Sequence, residues 1–83
     1  MGVNMIKYAL YMRGGSIGEI DNHIEKAKEN GIKDIRKGAY HYYRDLGENL
    51  EEALQTAKRY NKMRSPGERS YYHIHFKVFP IKE

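Results

Sequence analysis

From Ile6 to Met12 the chain alternates, with Ile6, Tyr8, Leu10 and Met12 on one side and Lys7, Ala9, Tyr11 and Arg13 on the other. A period of two predicts a strand with one buried and one open face. Arg13-Gly14-Gly15 ends it, and Ser16-Ile17-Gly18-Glu19 has the spacing of a capping box. Ile17, Ile20, Ile24 and Ala27 then recur at helical intervals up to Asn30-Gly31, so a helix is expected over about residues 17 to 30.

Residues 32 to 36 and 39 to 45, on either side of a Lys37-Gly38 break, predict two short strands joined by a tight turn, with one longer strand interrupted by a bulge as the competing reading. Asn49 can cap a second helix with Glu52 at the box position, and Leu50, Ala53, Leu54, Ala57, Tyr60 and Met63 form its apolar stripe. Ser65-Pro66-Gly67 stops that helix. Over residues 70 to 78, Tyr72, Ile74, Phe76 and Val78 alternate with Tyr71, His73, His75 and Lys77, which predicts a last strand ended by Pro80.

The order strand, helix, strand, strand, helix, strand is the split βαβ pattern of ferredoxin-like folds. It implies a four-stranded antiparallel sheet with two helices on one face. Without the Lys37-Gly38 turn the order is βαβαβ, and a three-stranded, mostly parallel sheet needs cover on both faces that two helices supply poorly. The chain of 83 residues is expected to form a single α+β domain, with residues 1–5 as a flexible start.

Composition narrows the chemistry. There are no cysteines, which removes disulfides, thiolate metal sites and thiol nucleophiles. Apolar runs are far shorter than the roughly 20 residues of a membrane span, and the first residues do not have the form of a secretory signal, so a cytoplasmic protein without a membrane partner is expected. Fifteen Lys and Arg against 11 Asp and Glu give a net charge of +4, a mild bias toward anionic partners.

If the Leu10 and Phe76 sets turn toward the helices, their alternates share the other face: Lys7, Tyr11 and Arg13 from the first strand, and Tyr71, His73, His75 and Lys77 from the last. Tyr40 and Tyr42 join them from the middle. An open sheet bearing aromatic rings and cations suits single-stranded nucleic acid, whose bases stack while Lys and Arg neutralise phosphates. Arg36-Lys37-Gly38-Ala39-Tyr40-His41-Tyr42 resembles the central-strand motif of RNA-recognition modules, with its aromatic positions shifted by one. That resemblance implies RNA binding on the sheet.

His73 and His75, two apart on one strand, resemble the His-hydrophobic-His metal pair of rolling-circle replication and transposition nucleases. This implies a third ligand, for which His41 is available, and a tyrosine nucleophile, for which Tyr60 is the helix-borne choice. Here the tyrosine precedes the histidine pair, and Tyr60 also lies on an apolar stripe, as a core residue would. Gly14-Gly15-Ser16 has the flexibility of a phosphate loop without its lysine, so a turn and a helix cap account for it.

Tyrosines also favour strands without any ligand, and Tyr and Arg suit protein interfaces equally well. The expectation is a small binding module rather than an enzyme, with no cofactor. Its partner is single-stranded RNA or DNA on the sheet face. The alternative is a protein, including a second copy of the chain, docked on the sheet face or an edge strand, as a small inhibitor or adaptor would be.

Overall fold

The first strand is the centre of the molecule. In the computed structural model, which describes residues 6–63, 66–67 and 72–82, the elements are β1 (Ile6–Arg13), α1 (Ile17–Glu29), β2 (Arg36–Lys37), β3 (Tyr40–Gly47), α2 (Leu50–Met63) and β4 (His75–Lys82). Both helices start where their caps predict. Ser16 Oγ accepts from the Glu19 N–H at 3.2 Å, and Asn49 Oδ1 accepts from the Glu52 N–H at 3.0 Å. β2 and β3 meet at a two-residue turn whose first central residue, Gly38, has φ +63°, the left-handed backbone a tight hairpin wants there.

The strands form one antiparallel sheet in the order β2-β3-β1-β4. The sheet thus has four strands among the described residues, and the three-stranded arrangement is not formed. Two boundaries differ from expectation. β2 pairs over only Arg36 and Lys37, because after the Ile35 carbonyl accepts from Tyr42 N–H at 2.7 Å the chain leaves the sheet edge. β4 starts at His75 and continues through Pro80, which an edge strand tolerates because it hydrogen-bonds on one side only.

Ala9, Leu10, Tyr11 and Met12 are all fully buried, so the middle of β1 has no open face, while Ile6 and Arg13 at its ends are exposed. Leu10 and Met12 pack with Ile74, Phe76 and the α2 residue Ala57. Ala9 and Tyr11 join Tyr42, Phe79 and Ile81 in a second cluster on the other face, closed over by Ile32 and Ile35 and by Ala27 at the end of α1. Residues 32 to 35, expected to be strand, instead form a flap over this second core, tied down where the Tyr11 hydroxyl donates to the Asp34 carbonyl at 2.5 Å.

α2 packs on β4, β1 and β3, while α1 packs on β3. Ala53 and Ala57 bring α2 close to the sheet, leaving Leu50 and Leu54 on its flank 46% and 53% exposed. The predicted apolar stripe is thus split, with Ala53 and Ala57 packed and Leu50, Leu54 and Met63 exposed. Ile17, at 81% exposure, likewise falls outside the α1 packing face.

The β1–β3 register slips twice, between Tyr8 and Ala9 and between Leu10 and Tyr11, leaving Leu46 and Tyr43 as extra residues on β3. The slip at Tyr43 restarts the alternation. Tyr43 stays on the helix side against Phe76 and Tyr60, and the next residue, Arg44, also meets Tyr60 there.

Both sheet edges are shielded. β2 is two residues long, and on β4 the Asn61 side chain acts as a substitute strand, donating to the Phe76 carbonyl at 3.1 Å and accepting from the Phe76 N–H at 2.8 Å. Asn61→Ala leaves both Phe76 groups without that partner, and urea unfolding is expected to show a loss of about 1–3 kcal/mol. A change below about 0.5 kcal/mol would mean that water replaces the amide at no cost.

Candidate nucleic-acid interface

One corner of the second sheet face is built by side chains from all four strands. Register places Arg13 between Tyr40 of β3 and His75 of β4, and Lys77 beside Tyr11. The Arg13 guanidinium lies 5.6 Å from the centre of the Tyr40 ring, and the Lys77 ammonium 6.0 Å from Tyr40 and 5.3 Å from Phe79. From β2, Lys37 sits 5.8 Å from Phe79 and 5.9 Å from Tyr11, and it pairs with Asp34 at 3.6 Å. The Tyr40 hydroxyl and His75 Nδ1 are hydrogen-bonded at 2.9 Å.

Arg13, His75 and Lys77 are exposed, and Tyr40, Lys37 and Phe79 are half-buried. Their burial differs for a reason. Rings in the middle of the face are shielded by the flap, whereas this corner meets it only at its border, where Asp34 pairs with Lys37, and the Tyr40 ring contacts His75 and Phe79 of β4. Partial desolvation, with Arg13 and Lys77 adding to it, lowers the His75 pKa below the usual histidine range. A negative ligand arriving among these cations would raise it again.

The expected site residues therefore separate. Arg13, Tyr40, His75 and Lys77 come together. Tyr11 and Tyr42 do not offer solvent a stacking surface: Tyr11 is 0% and Tyr42 9% exposed, and the two rings pack edge to face at 5.7 Å. Burial, reinforced by the Asp34 and Tyr42 charges, pushes the Tyr11 hydroxyl up to about 12, and burial raises Tyr42 as well, with Asp45 adding to it. Lys7 is six residues from Arg13 along β1, about 20 Å at strand rise, in a small apolar pocket with Ile32, Tyr42, Asp45 and Ile81. Tyr71 lies outside the described residues.

The three histidines proposed as metal ligands are also dispersed. His73 is not in β4 but in the turn before it, with φ +56°, its carbonyl accepting from Arg13 Nε at 3.3 Å. His75 faces Tyr40, while His41 is buried on the helix side against His23 of α1, with ring nitrogens 3.1 Å apart. Tyr60 is on that helix side too. Among the described residues no three His, Cys, Asp or Glu side chains cluster as a metal site would need. Gly14-Gly15 has a packing role: the Gly15 N–H donates to the Tyr72 carbonyl at 3.1 Å, and a Cβ on Gly14 would lie 2.2 Å from that same oxygen.

His23 Nδ1 and His41 Nε2 share one hydrogen bond, with the rings stacked at 25° and Tyr43 edge-on to His23. Burial, with the His23 and Arg36 charges adding to it, lowers the His41 pKa to about 4. His41 is thus neutral at pH 7 and helps seat α1 on β3.

Two corner residues escaped the sequence reading. Lys37 belongs to β2 and not to the turn, and Phe79 lies in β4 past the expected end at Val78, on the same alternation as His75 and Lys77. No helix among the described residues is long and apolar enough to cross a membrane. Compared with protein families, curated proteins and solved structures, the chain matches none.

Two measurements test this placement. Tyr11→Ala removes a core ring and is expected to cost about 3–5 kcal/mol in chemical unfolding, whereas Tyr40→Ala, half-exposed, costs clearly less; equal losses would contradict the assignment. The His41 pKa is about 4 in the folded chain against about 6.5 when unfolded. The unfolded state binds more protons across that window, so stability falls as pH drops from about 6.5 toward 4, by at most about 1.4 kcal/mol per unit. Unfolding midpoints at pH 7 and 5, with an NMR titration of the His41 ring, check it; a ring titrating near 6.5 contradicts it.

Proposed function

We propose that this protein is a small binding module of ferredoxin-like architecture that holds single-stranded nucleic acid on the corner around Tyr40. The strand order β2-β3-β1-β4, all antiparallel, supports the architecture. The binding reading is carried by one observation: cations from three different strands, Arg13, Lys37 and Lys77, stand within 6.0 Å of the rings of Tyr40 and Phe79.

That composition addresses both halves of a nucleotide. Bases stack on aromatic rings and on guanidinium planes, here Tyr40, His75 and Arg13, while ammonium groups such as Lys77 and Lys37 neutralise phosphates. Such a surface grips the backbone and any base face, so it favours single strands with little sequence preference. The alternative, a protein docked on an edge strand, has less in its favour because β2 is very short and Asn61 occupies the Phe76 position of β4.

Fluorescent single-stranded RNA and DNA oligonucleotides, titrated by anisotropy at two salt concentrations, test the proposal. Binding is expected to be micromolar or tighter at low salt and to weaken steeply as salt rises. Tyr40→Ala is expected to lose about 1–3 kcal/mol, and Lys77→Gln to reduce the salt slope by about one. No binding at low salt, or binding indifferent to Tyr40, overturns it, and a mass by light scattering on the same sample then reports whether the chain pairs with itself.

A further inference from the structure

The other sheet face carries a second polar concavity. α1 and α2 do not pack tightly together, and the cleft between them is lined by Asn22, His23 and Lys26 of α1, Tyr43 and Arg44 of β3, and Tyr60 of α2. Every one of these six side chains can donate a hydrogen bond, and none is a carboxylate. Lys26 and Arg44 face it as two cations.

The bulge at Tyr43 is what brings Arg44 here. Without the extra residue Arg44 would point to the Tyr42 face; with it, the guanidinium reaches the helix side and donates to the Tyr60 hydroxyl at 2.5 Å, 5.9 Å from the centre of that ring. One of the five N–H donors is used in holding the group, and a guanidinium fixed in this way is a preorganised partner for a planar or tetrahedral oxyanion. The ion pairs Lys28–Glu25 and Lys37–Asp34 lie outside this cleft. A cleft rich in donors, cationic and open to water is stabilised by an anion and not by an apolar group.

We propose that the cleft between α1 and α2 is an oxyanion site that takes a phosphate group between Lys26 and Arg44, with the Tyr60 hydroxyl and the Asn22 amide as further donors. The phosphate is either that of a small phosphorylated compound or a phosphodiester of a nucleic-acid strand. The site does not depend on the Tyr40 corner, which lies on the opposite sheet face.

Inorganic phosphate titrated into the ¹⁵N-labelled protein at constant ionic strength, balanced with chloride, tests it by NMR. Saturable shifts centred on Lys26, Arg44 and Asn22 are expected, with affinity about tenfold weaker in Arg44→Gln and reduced in Lys26→Gln. Lys26 is an exposed helix position, so its variant keeps the test valid if Arg44→Gln disturbs the Tyr60 contact. Tyr40→Ala is expected to leave phosphate binding unchanged, which separates this site from the nucleic-acid reading. Shifts that fail to saturate, or that persist undiminished in both variants, overturn the proposal. With phosphate bound, displacement by an oligonucleotide assigns the site to a phosphodiester, and persistence assigns it to a free phosphate compound; both support it.

Discussion

The structure depends on the middle of β1, Ala9 to Met12, being buried on both faces. Most small two-layer domains set one sheet face against helices and leave the other to water. Here Leu10 and Met12 serve the α2 side while Ala9 and Tyr11 serve a second core, so one strand of eight residues is the floor of two clusters. A second core needs a cover, and α1 reaches it only with Ala27 at its end. The cover is the segment after α1, whose Ile32 and Ile35 lie on Tyr11 and Tyr42 and whose Asp34 carbonyl satisfies the one polar atom Tyr11 brings inside.

That flap decides where a ligand surface can exist. Where it covers the face, tyrosines become core residues with raised pKa values, unavailable for stacking. Beyond it, at the Arg13 end of β1, rings remain half-exposed and cations gather on their faces. The same turn of chain therefore removes Tyr11 and Tyr42 from the surface and bounds the corner made by Tyr40, His75 and Lys77. Length of cover, not composition, separates half-exposed tyrosines from packed ones.

Much of the fold was legible because its signals are local. Ser16 and Asn49 act through a hydrogen bond three residues on, Gly38 through its own φ, and β1, β3 and β4 through alternation, so element order could be read without tertiary information. The role of residues 32 to 35 could not. Two isoleucines among charges look like a strand, and whether they pair with β3 or fold across it is set by contacts with Tyr11, twenty-odd residues away. Leu50 and Leu54 misled for a related reason: a helix approaches a sheet through its smallest side chains, and in α2 those are Ala53 and Ala57.

The candidate sites divide along the same line. Alternation alone put Arg13, Tyr40, His75 and Lys77 on one face, because each lies on a strand whose phase is unbroken between it and its neighbours. Arg44 could not be placed that way, since the extra residue at Tyr43 inverts the side chains that follow it on β3 until the second slip at Leu46 restores the phase. Plain alternation would put Tyr40, Tyr42 and Arg44 on one surface. The bulge splits them, sending Arg44 to the cleft between the helices and leaving Tyr40 with the corner cations. One inserted residue thus moves Arg44, the one Lys or Arg of β3, to the opposite face from Arg13, Lys37 and Lys77, so that it meets Lys26 of α1 instead.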